Sequence, residues 1–221
     1  IALSVIHVGA RFAGAADIAD PTKLTLMPLL ALGALWGLRR NGSIGSTSAA
    51  PSGSAAPSGS TSAAPSGLAL PAVLLFAALL FSWLGDGAGA FFPFAPELPV
   101  MLGAFGLAHI CYIWLLARYA AVRPFPRWAL VFVAWWVLML LVLWPTLGGL
   151  TAAVAAYGIV LAGTAATAAR CGRTVAAGGL LFLASDTILA LRIFMPEAMP
   201  DWTNPLVMLT YCAGQGLIVA G

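Results

Sequence analysis

The stretch GGLLFLASDTILALRIFM, residues 178–195, decides how this sequence folds. It is apolar over a length that can cross a bilayer, yet Ser185 and Asp186 stand near its middle. A carboxylate at that depth costs roughly 2.5–3.5 kcal/mol on insertion scales, so it normally faces the interior of a helix bundle or a wet cavity. We therefore predict that Asp186 belongs to a functional site. The alternative is a buried, hydrogen-bonded helix anchor.

The composition of the whole chain points the same way. Its 221 residues are 62% hydrophobic and 8% charged, values that a water-soluble fold could not present to solvent. We predict an all-α protein, a polytopic integral membrane bundle of about eight transmembrane helices that forms a single domain over residues 1–221. The net charge is +3, and the basic residues lie in short clusters between apolar runs. This distribution indicates membrane topology and excludes a basic groove for nucleic acid.

The sequence has eight apolar runs; the first, 1–14, is expected to be a partial span, and the six from residue 68 onward are near the ~20 residues that a hydrocarbon core requires. They lack the period-two alternation of strands, and in lipid each backbone amide must be satisfied within its own segment, which favours helices. A short turn with Asp17, Asp20 and Pro21 separates the first two runs. The predicted spans are 1–14, 23–38, 68–92, 98–117, 128–144, 148–169, 174–195 and 203–221.

A low-complexity loop separates the second and third predicted spans. Residues 41–67 contain the hexapeptide Ser-Ala-Ala-Pro-Ser-Gly at 48–53, 54–59 and 62–67. Such a segment has little to bury, so we expect a flexible linker.

The charges between spans predict the orientation. The arginines between helices fall on one side of the membrane and the carboxylates on the other, so the positive-inside rule puts both termini and the 41–67 loop in the cytoplasm of a bacterial-type cell membrane. The basic side carries Arg39, Arg40, Arg118, Arg123, Arg127, Arg170 and Arg173, and the acidic side carries Asp17, Asp20, Glu97, Glu197 and Asp201.

Polar side chains on four further helices fall in the middle or outer half of the bilayer. Each has a structural alternative, such as a snorkelling lysine or a hydrogen-bonded core histidine, but their convergence with Asp186 favours a site. They are Lys23 at the start of the second helix, Asp86 in the third, His109 and Tyr112 in the fourth, and Tyr211 and Gln215 in the eighth.

In their order along the chain, these residues carry a family resemblance. The sequence resembles the YhhN-type membrane lysoplasmalogenases, with about one motif on each of five helices and a match over nearly the whole chain. The motifs are KLTLMPLL (23–30), GD (85–86), AHICY (108–112), SD (185–186) with Leu189, Ala190, Leu191 and Phe194, and Pro205 with TY (210–211) and Gln215.

The resemblance implies an enzyme of eight membrane helices that hydrolyses the vinyl-ether bond of a lysophospholipid substrate, a lysoplasmalogen. The products would be a fatty aldehyde and a glycerophospho-headgroup. Such a hydrolysis needs a protonated carboxyl and a carboxylate, and two aspartates in a low-dielectric pocket suit it because burial and mutual repulsion separate their roles. We expect Asp186 to be the acid and Asp86 the base, although depth alone leaves the reverse order open.

The remaining roles follow from position and chemistry. His109 would share the proton or orient the water, and Lys23 would bind the headgroup phosphate. Tyr112, Ser185, Tyr211 and Gln215 complete the expected substrate site. No cofactor and no metal are expected, since one histidine with two aspartates is a weak ligand set.

Two other classes of function use the same residues. In a small transporter or proton-coupled carrier, the aspartates and His109 would form a proton relay. The halves of the chain show no internal repeat, which speaks against that class. In a scaffold, the polar residues would only lock helices together, and the Ala/Gly-rich sixth helix suits close packing. The sequence leaves the oligomeric state and the headgroup preference open.

Overall fold

The computed structural model describes residues 2–13, 16–44 and 69–221, and all regular structure in these residues is helical. Eight helices of eleven or more residues confirm the predicted all-α fold and the helix count. They are α1 (Ala2–Phe12), α2 (Ala16–Ile44), α3 (Ala69–Asp86), α4 (Glu97–Leu115), α5 (Leu130–Leu147), α6 (Thr151–Ala168), α7 (Arg173–Phe194) and α8 (Thr203–Ala220). A four-residue helix, Ala88–Phe91, follows α3, and a π-helical turn, Leu116–Ala120, ends α4.

Three predicted boundaries were wrong. The backbone is already helical from Ala16, so Pro21 and Lys23 both lie inside α2. A helix in a bundle tolerates such a proline when neighbouring groups satisfy the backbone carbonyl that the proline leaves free. Helix α2 also continues to Ile44, past the predicted start of the loop. The third predicted span divides at Gly87, where the backbone (φ −101°, ψ 15°) leaves the helical region. The predicted linker from residue 45 onward, and the side chains of Asp17 and Asp20, lie outside the described residues.

Seven helices form a closed ring of neighbours in the order α1, α2, α3, α4, α6, α7, α8 and back to α1, while α5 packs outside against α6 and α7. The closest crossing joins α7 and α8. A Cβ atom at Gly214 would lie 2.9 Å from the backbone nitrogen of Phe182, and one at Gly178 would lie 2.9 Å from the carbonyl oxygen of Gly214. Only glycine permits this approach, which brings polar side chains of α8 into the centre of the ring.

The outer surface is apolar, as a lipid-facing surface would be. In α5 only Phe132, Leu143 and Leu147 are buried, while Leu130 is 71% and Leu141 is 67% exposed. So large an apolar surface would drive aggregation in water but is stable against lipid chains. Five tryptophans near the ends of the predicted spans are exposed, as side chains at a membrane interface would be: Trp36, Trp114, Trp128, Trp144 and Trp202.

Within the described residues, three helical runs are long and apolar enough to cross a membrane: Glu97–Ala120, Arg127–Ala168 and Arg173–Phe194. The second run is a hairpin. Gly148 has φ 51°, a left-handed conformation that favours glycine, and Trp136 Nε1 donates to the carbonyl of Ala155 at 3.0 Å across the two arms. These runs support an integral membrane protein; eight complete crossings and the orientation of the termini stay predictions.

The two loops at the basic end of α7 are tied together. The backbone amides of Val122 and Arg123 donate to the carbonyl of Arg170 at 3.0 and 3.1 Å, and Arg170 Nε donates to the carbonyl of Arg123 at 2.9 Å. The Arg170 guanidinium also stacks 4.4 Å from the centre of the Phe125 ring. This end of the bundle therefore has a defined shape as well as a positive charge.

Candidate active site

Asp186 lies on the inner face of α7, with its side chain only 8% exposed. Oδ2 and the hydroxyl of Tyr157 on α6 share a short hydrogen bond. The same oxygen is 3.7 Å from Nε2 of His109 on α4. Three helices thus converge on one carboxyl group, which is what the sequence predicted for Asp186 and His109.

His109 is fully buried and has a polar neighbour at each ring nitrogen. Nδ1 lies 3.0 Å from Thr164 Oγ1, and Nε2 lies 3.3 Å from the Tyr157 hydroxyl oxygen. The ring packs edge to face on Phe182 of α7, with centroids 4.7 Å apart. Its position and both polar contacts are therefore set by α6 and α7.

Sequence reasoning missed Tyr157 and Thr164, because α6 was interpreted only as a small-residue packing helix. A signal was present. The two residues are seven apart, two helical turns, and so share one face of an otherwise apolar helix. That face meets the His109 face of α4, where Gly163 admits the side chain of Ile113 at close range.

Asp86, the last residue of α3, belongs to a second polar cluster. Its side chain is 6% exposed, with Oδ1 3.8 Å from Lys23 Nζ. Oδ2 accepts a hydrogen bond of 2.8 Å from the Tyr211 hydroxyl of α8. The indole of Trp83 donates to the carbonyl of Leu24 at 2.8 Å, which holds α2 against α3 and places Lys23 beside the carboxyl.

The other predicted substrate-binding residues are used between helices. Tyr112 donates a short hydrogen bond to Gln215 Oε1, and Gln215 Nε2 donates to Ser82 Oγ at 3.1 Å, which joins α4, α8 and α3. Ser185 Oγ donates to the carbonyl of Val207 at 3.0 Å and joins α7 to α8. These contacts stabilise the bundle, and a direct role in substrate binding stays a prediction.

The two aspartates are linked through aromatic rings. Phe182 contacts His109 on one side and Tyr211 on the other, with a centroid distance of 5.4 Å to Tyr211. Among the described residues, α3 and α7 make few direct contacts, yet Asp86 and Asp186 are close enough to interact electrostatically, so a shared catalytic role for the pair stays a prediction. Helix α8 packs along α7 and reaches Asp86 through the Tyr211 hydroxyl.

Two apolar pockets meet at Asp186. One lies between α5, α6 and α7 and the other between α4, α6 and α7, and each encloses a cavity of about 40 Å³. Asp186, Tyr157, Val154 and Ala190 line both pockets. Asp86 lines neither of them. The first is completed by side chains such as Trp135 and Met139, and the second by Met101, Phe105 and Phe194.

This arrangement can bring an acid and an apolar chain together. A carboxyl group with an adjacent hydroxyl and imidazole is suited to proton transfer. The apolar walls are suited to a hydrocarbon chain. In the described part of the chain, no group of three or more His, Cys, Asp or Glu side chains is placed to hold a metal ion.

Comparison with known proteins identifies the family. No curated protein and no solved structure matches the chain. The model of the YhhN family, in contrast, matches residues 20–221, a range that includes both carboxyl clusters and all eight helices except α1 and the start of α2. The chain is therefore a member of the YhhN family.

Proposed function

We propose that this protein is a membrane hydrolase that cleaves the vinyl-ether bond of lysoplasmalogens, releasing a fatty aldehyde and a glycerophospho-headgroup. The observation that carries the proposal is the position of Asp186, a buried carboxyl at the meeting point of two apolar pockets. The chain belongs to the YhhN family, and its motifs resemble those of the family's lysoplasmalogenases, which supports the same activity.

The substrate class follows from what surrounds the acid. A lysoplasmalogen has one alkenyl chain, and its reactive carbons lie where that chain joins the glycerol. The walls of both pockets are almost wholly hydrocarbon, whereas Asp186 and Tyr157 supply polar groups at the point where the pockets meet. Each cavity, of about 40 Å³, admits only a short stretch of a chain, so the vinyl-ether end would lie beside Asp186 while the rest of the chain lies along the apolar surface of the bundle.

The reaction begins with a proton. Asp186 gives a proton to the alkene carbon that does not carry the oxygen, and an oxocarbenium ion forms. Water adds to the oxygen-bearing carbon and releases a proton to the Asp186 carboxylate. The resulting hemiacetal loses the glycerol oxygen as an alcohol and leaves the aldehyde, so one water is consumed and Asp186 is restored. A low-dielectric site lowers the barrier because the carboxylate formed beside the cation stabilises it.

The second cluster is assigned to the polar end of the substrate. Lys23 is the positively charged residue beside Asp86, and its side chain is 31% exposed. Its ammonium group is therefore suited to bind a phosphate. Asp86 accepts from Tyr211 and lies beside Lys23, as fits a carboxylate that orients water or a headgroup hydroxyl. The ring of Phe182 separates this cluster from His109, so each aspartate has its own task.

The test is aldehyde release by the purified full chain in detergent, with no ion gradient. A lysoplasmalogen should be cleaved, whereas lysolipids with the same chain and headgroup but an ester or a saturated ether should not. Release of aldehyde that is equal in the presence and absence of the protein would refute the proposal. Proton movement across vesicles that contain the protein, without any aldehyde, would instead favour the carrier.

A further inference from the structure

The hydroxyl of Thr164 contacts His109 on the side of the ring away from Asp186. Its single proton has a backbone acceptor, since Oγ1 donates to the carbonyl of Val160 at 3.0 Å, four residues earlier in α6. Thr167 on the same helix makes the equivalent bond to Gly163 at 2.8 Å. With this proton directed to the backbone, the Thr164 oxygen at 3.0 Å from Nδ1 is placed to accept. That arrangement favours the His109 proton on Nδ1.

The hydroxyl of Tyr157 stands between two acceptors on the other side of the ring. It reaches both Asp186 Oδ2 and His109 Nε2, but it has one proton to donate. If Nε2 has no proton, Tyr157 donates to it and Asp186 as a carboxylic acid donates to the Tyr157 oxygen. If Nε2 has a proton, Tyr157 donates to Asp186, which is then a carboxylate. Whether Nε2 is protonated thus decides the direction of the chain.

We infer that Thr164 is a positioning residue that keeps the proton of neutral His109 on Nδ1, so that Nε2 accepts from Tyr157 and Asp186 is held as the acid. The use of that acid rests on the proposed function. When Asp186 gives its proton to the alkene carbon, the Tyr157 proton turns from Nε2 to the new carboxylate. This hydrogen bond forms only as the charge develops, so it stabilises the transition state more than the ground state.

The tautomer of His109 tests the inference without any substrate. The full chain labelled with ¹⁵N-histidine is measured by NMR in detergent at neutral pH. Only His7 and His109 contribute, and the signals of His109 are those lost in His109→Gln. The expected spectrum has a protonated Nδ1 and an unprotonated Nε2. A proton on Nε2 with a bare Nδ1, or protons on both nitrogens, would overturn the inference.

Variants of α6 separate the role of the hydroxyl from packing. Thr164→Val removes the acceptor at nearly constant volume, and the His109 proton should move to Nε2. Thr164→Ser keeps the hydroxyl and Thr167→Val removes one that contacts only backbone, so both should keep the wild-type spectrum. An unchanged spectrum in Thr164→Val would contradict the assignment. If that variant fails to fold, the wild-type and Thr164→Ser spectra still decide.

Turnover connects the tautomer to catalysis. Thr164→Val should release aldehyde at least about 10-fold more slowly, less than the ~10²-fold expected for loss of the acid itself, while Thr167→Val should match the wild type. Equal rates in Thr164→Val and the wild type would refute the positioning role. If the wild type releases no aldehyde, the proposed function fails while the spectrum still reports the tautomer. If aldehyde is released but Nε2 carries the proton, only the inference on Thr164 fails.

Discussion

Asp186→Asn separates the acid from its packing. The substitution keeps the size of the side chain and one oxygen that can accept the Tyr157 hydrogen bond. It removes the carboxyl proton and puts an amide group where the second carboxylate oxygen stood. Because the side chain is only 8% exposed, that amide must find an acceptor inside the bundle or remain unsatisfied.

The expected effects on rate and stability differ in size. Loss of a general acid lowers the rate by at least ~10²-fold, since the alkene carbon then has no positioned proton donor. An unsatisfied buried amide costs about 1–3 kcal/mol, which a bundle of eight helices can lose and still fold. The variant should therefore insert and purify like the wild type but turn over at less than about one-hundredth of its rate.

Aldehyde release and thermal unfolding measure the two effects separately. Asp201→Asn is the matched control, because it makes the same chemical change at an exposed carboxylate in the loop before α8. It should leave both measurements at wild-type values. Turnover of Asp186→Asn within a few-fold of the wild type would show that Asp186 is a helix anchor and would refute the proposed mechanism.

Four further outcomes are expected. Gly214→Ala puts a Cβ atom 2.9 Å from the Phe182 backbone nitrogen and should destabilise the protein by about 1–3 kcal/mol in thermal unfolding. Gly216→Ala, whose Cβ would have no atom within 4 Å, should leave the stability unchanged. Equal stability of the two variants would contradict the close crossing of α7 and α8. Ala190→Phe fills the junction of both pockets and should raise KM for lysoplasmalogen, and an unchanged KM would place the chain elsewhere. Lys23→Gln should raise KM for lysoplasmalogen but not for a substrate that lacks the phosphate. An equal rise in KM for both substrates would argue against a contact between Lys23 and the phosphate. Deletion of residues 46–66 should leave turnover and insertion unchanged, because loop length costs only ~0.6 kcal/mol per doubling, and lost turnover would reveal a role for that segment.

The helical architecture was predictable from the sequence alone. Long apolar runs leave the backbone no partner but itself, so eight runs become eight helices whatever their neighbours. The burial of Asp186 and His109 was predictable for a related reason: a polar group in such a run must turn inward. Helix ends were less predictable, as Ala16 and Gly87 show. Neighbouring helices can satisfy backbone hydrogen-bonding groups at a helix end, and the local sequence does not show which helices are neighbours.

Only the tertiary structure decided which polar groups meet. The sequence put Asp186 near mid-depth and Asp86 in the outer half of its helix, but depth carries no information on the order of helices around the ring. The close packing of α8 on α7 at Gly178 and Gly214 brings Tyr211 to Asp86, α2 brings Lys23 to the same carboxyl, and α4 and α6 bring His109 and Tyr157 to Asp186. Tyr157 and Thr164 gain their importance only through contacts with α4 and α7, since a tyrosine or threonine in an apolar helix has no meaning until its partner is known.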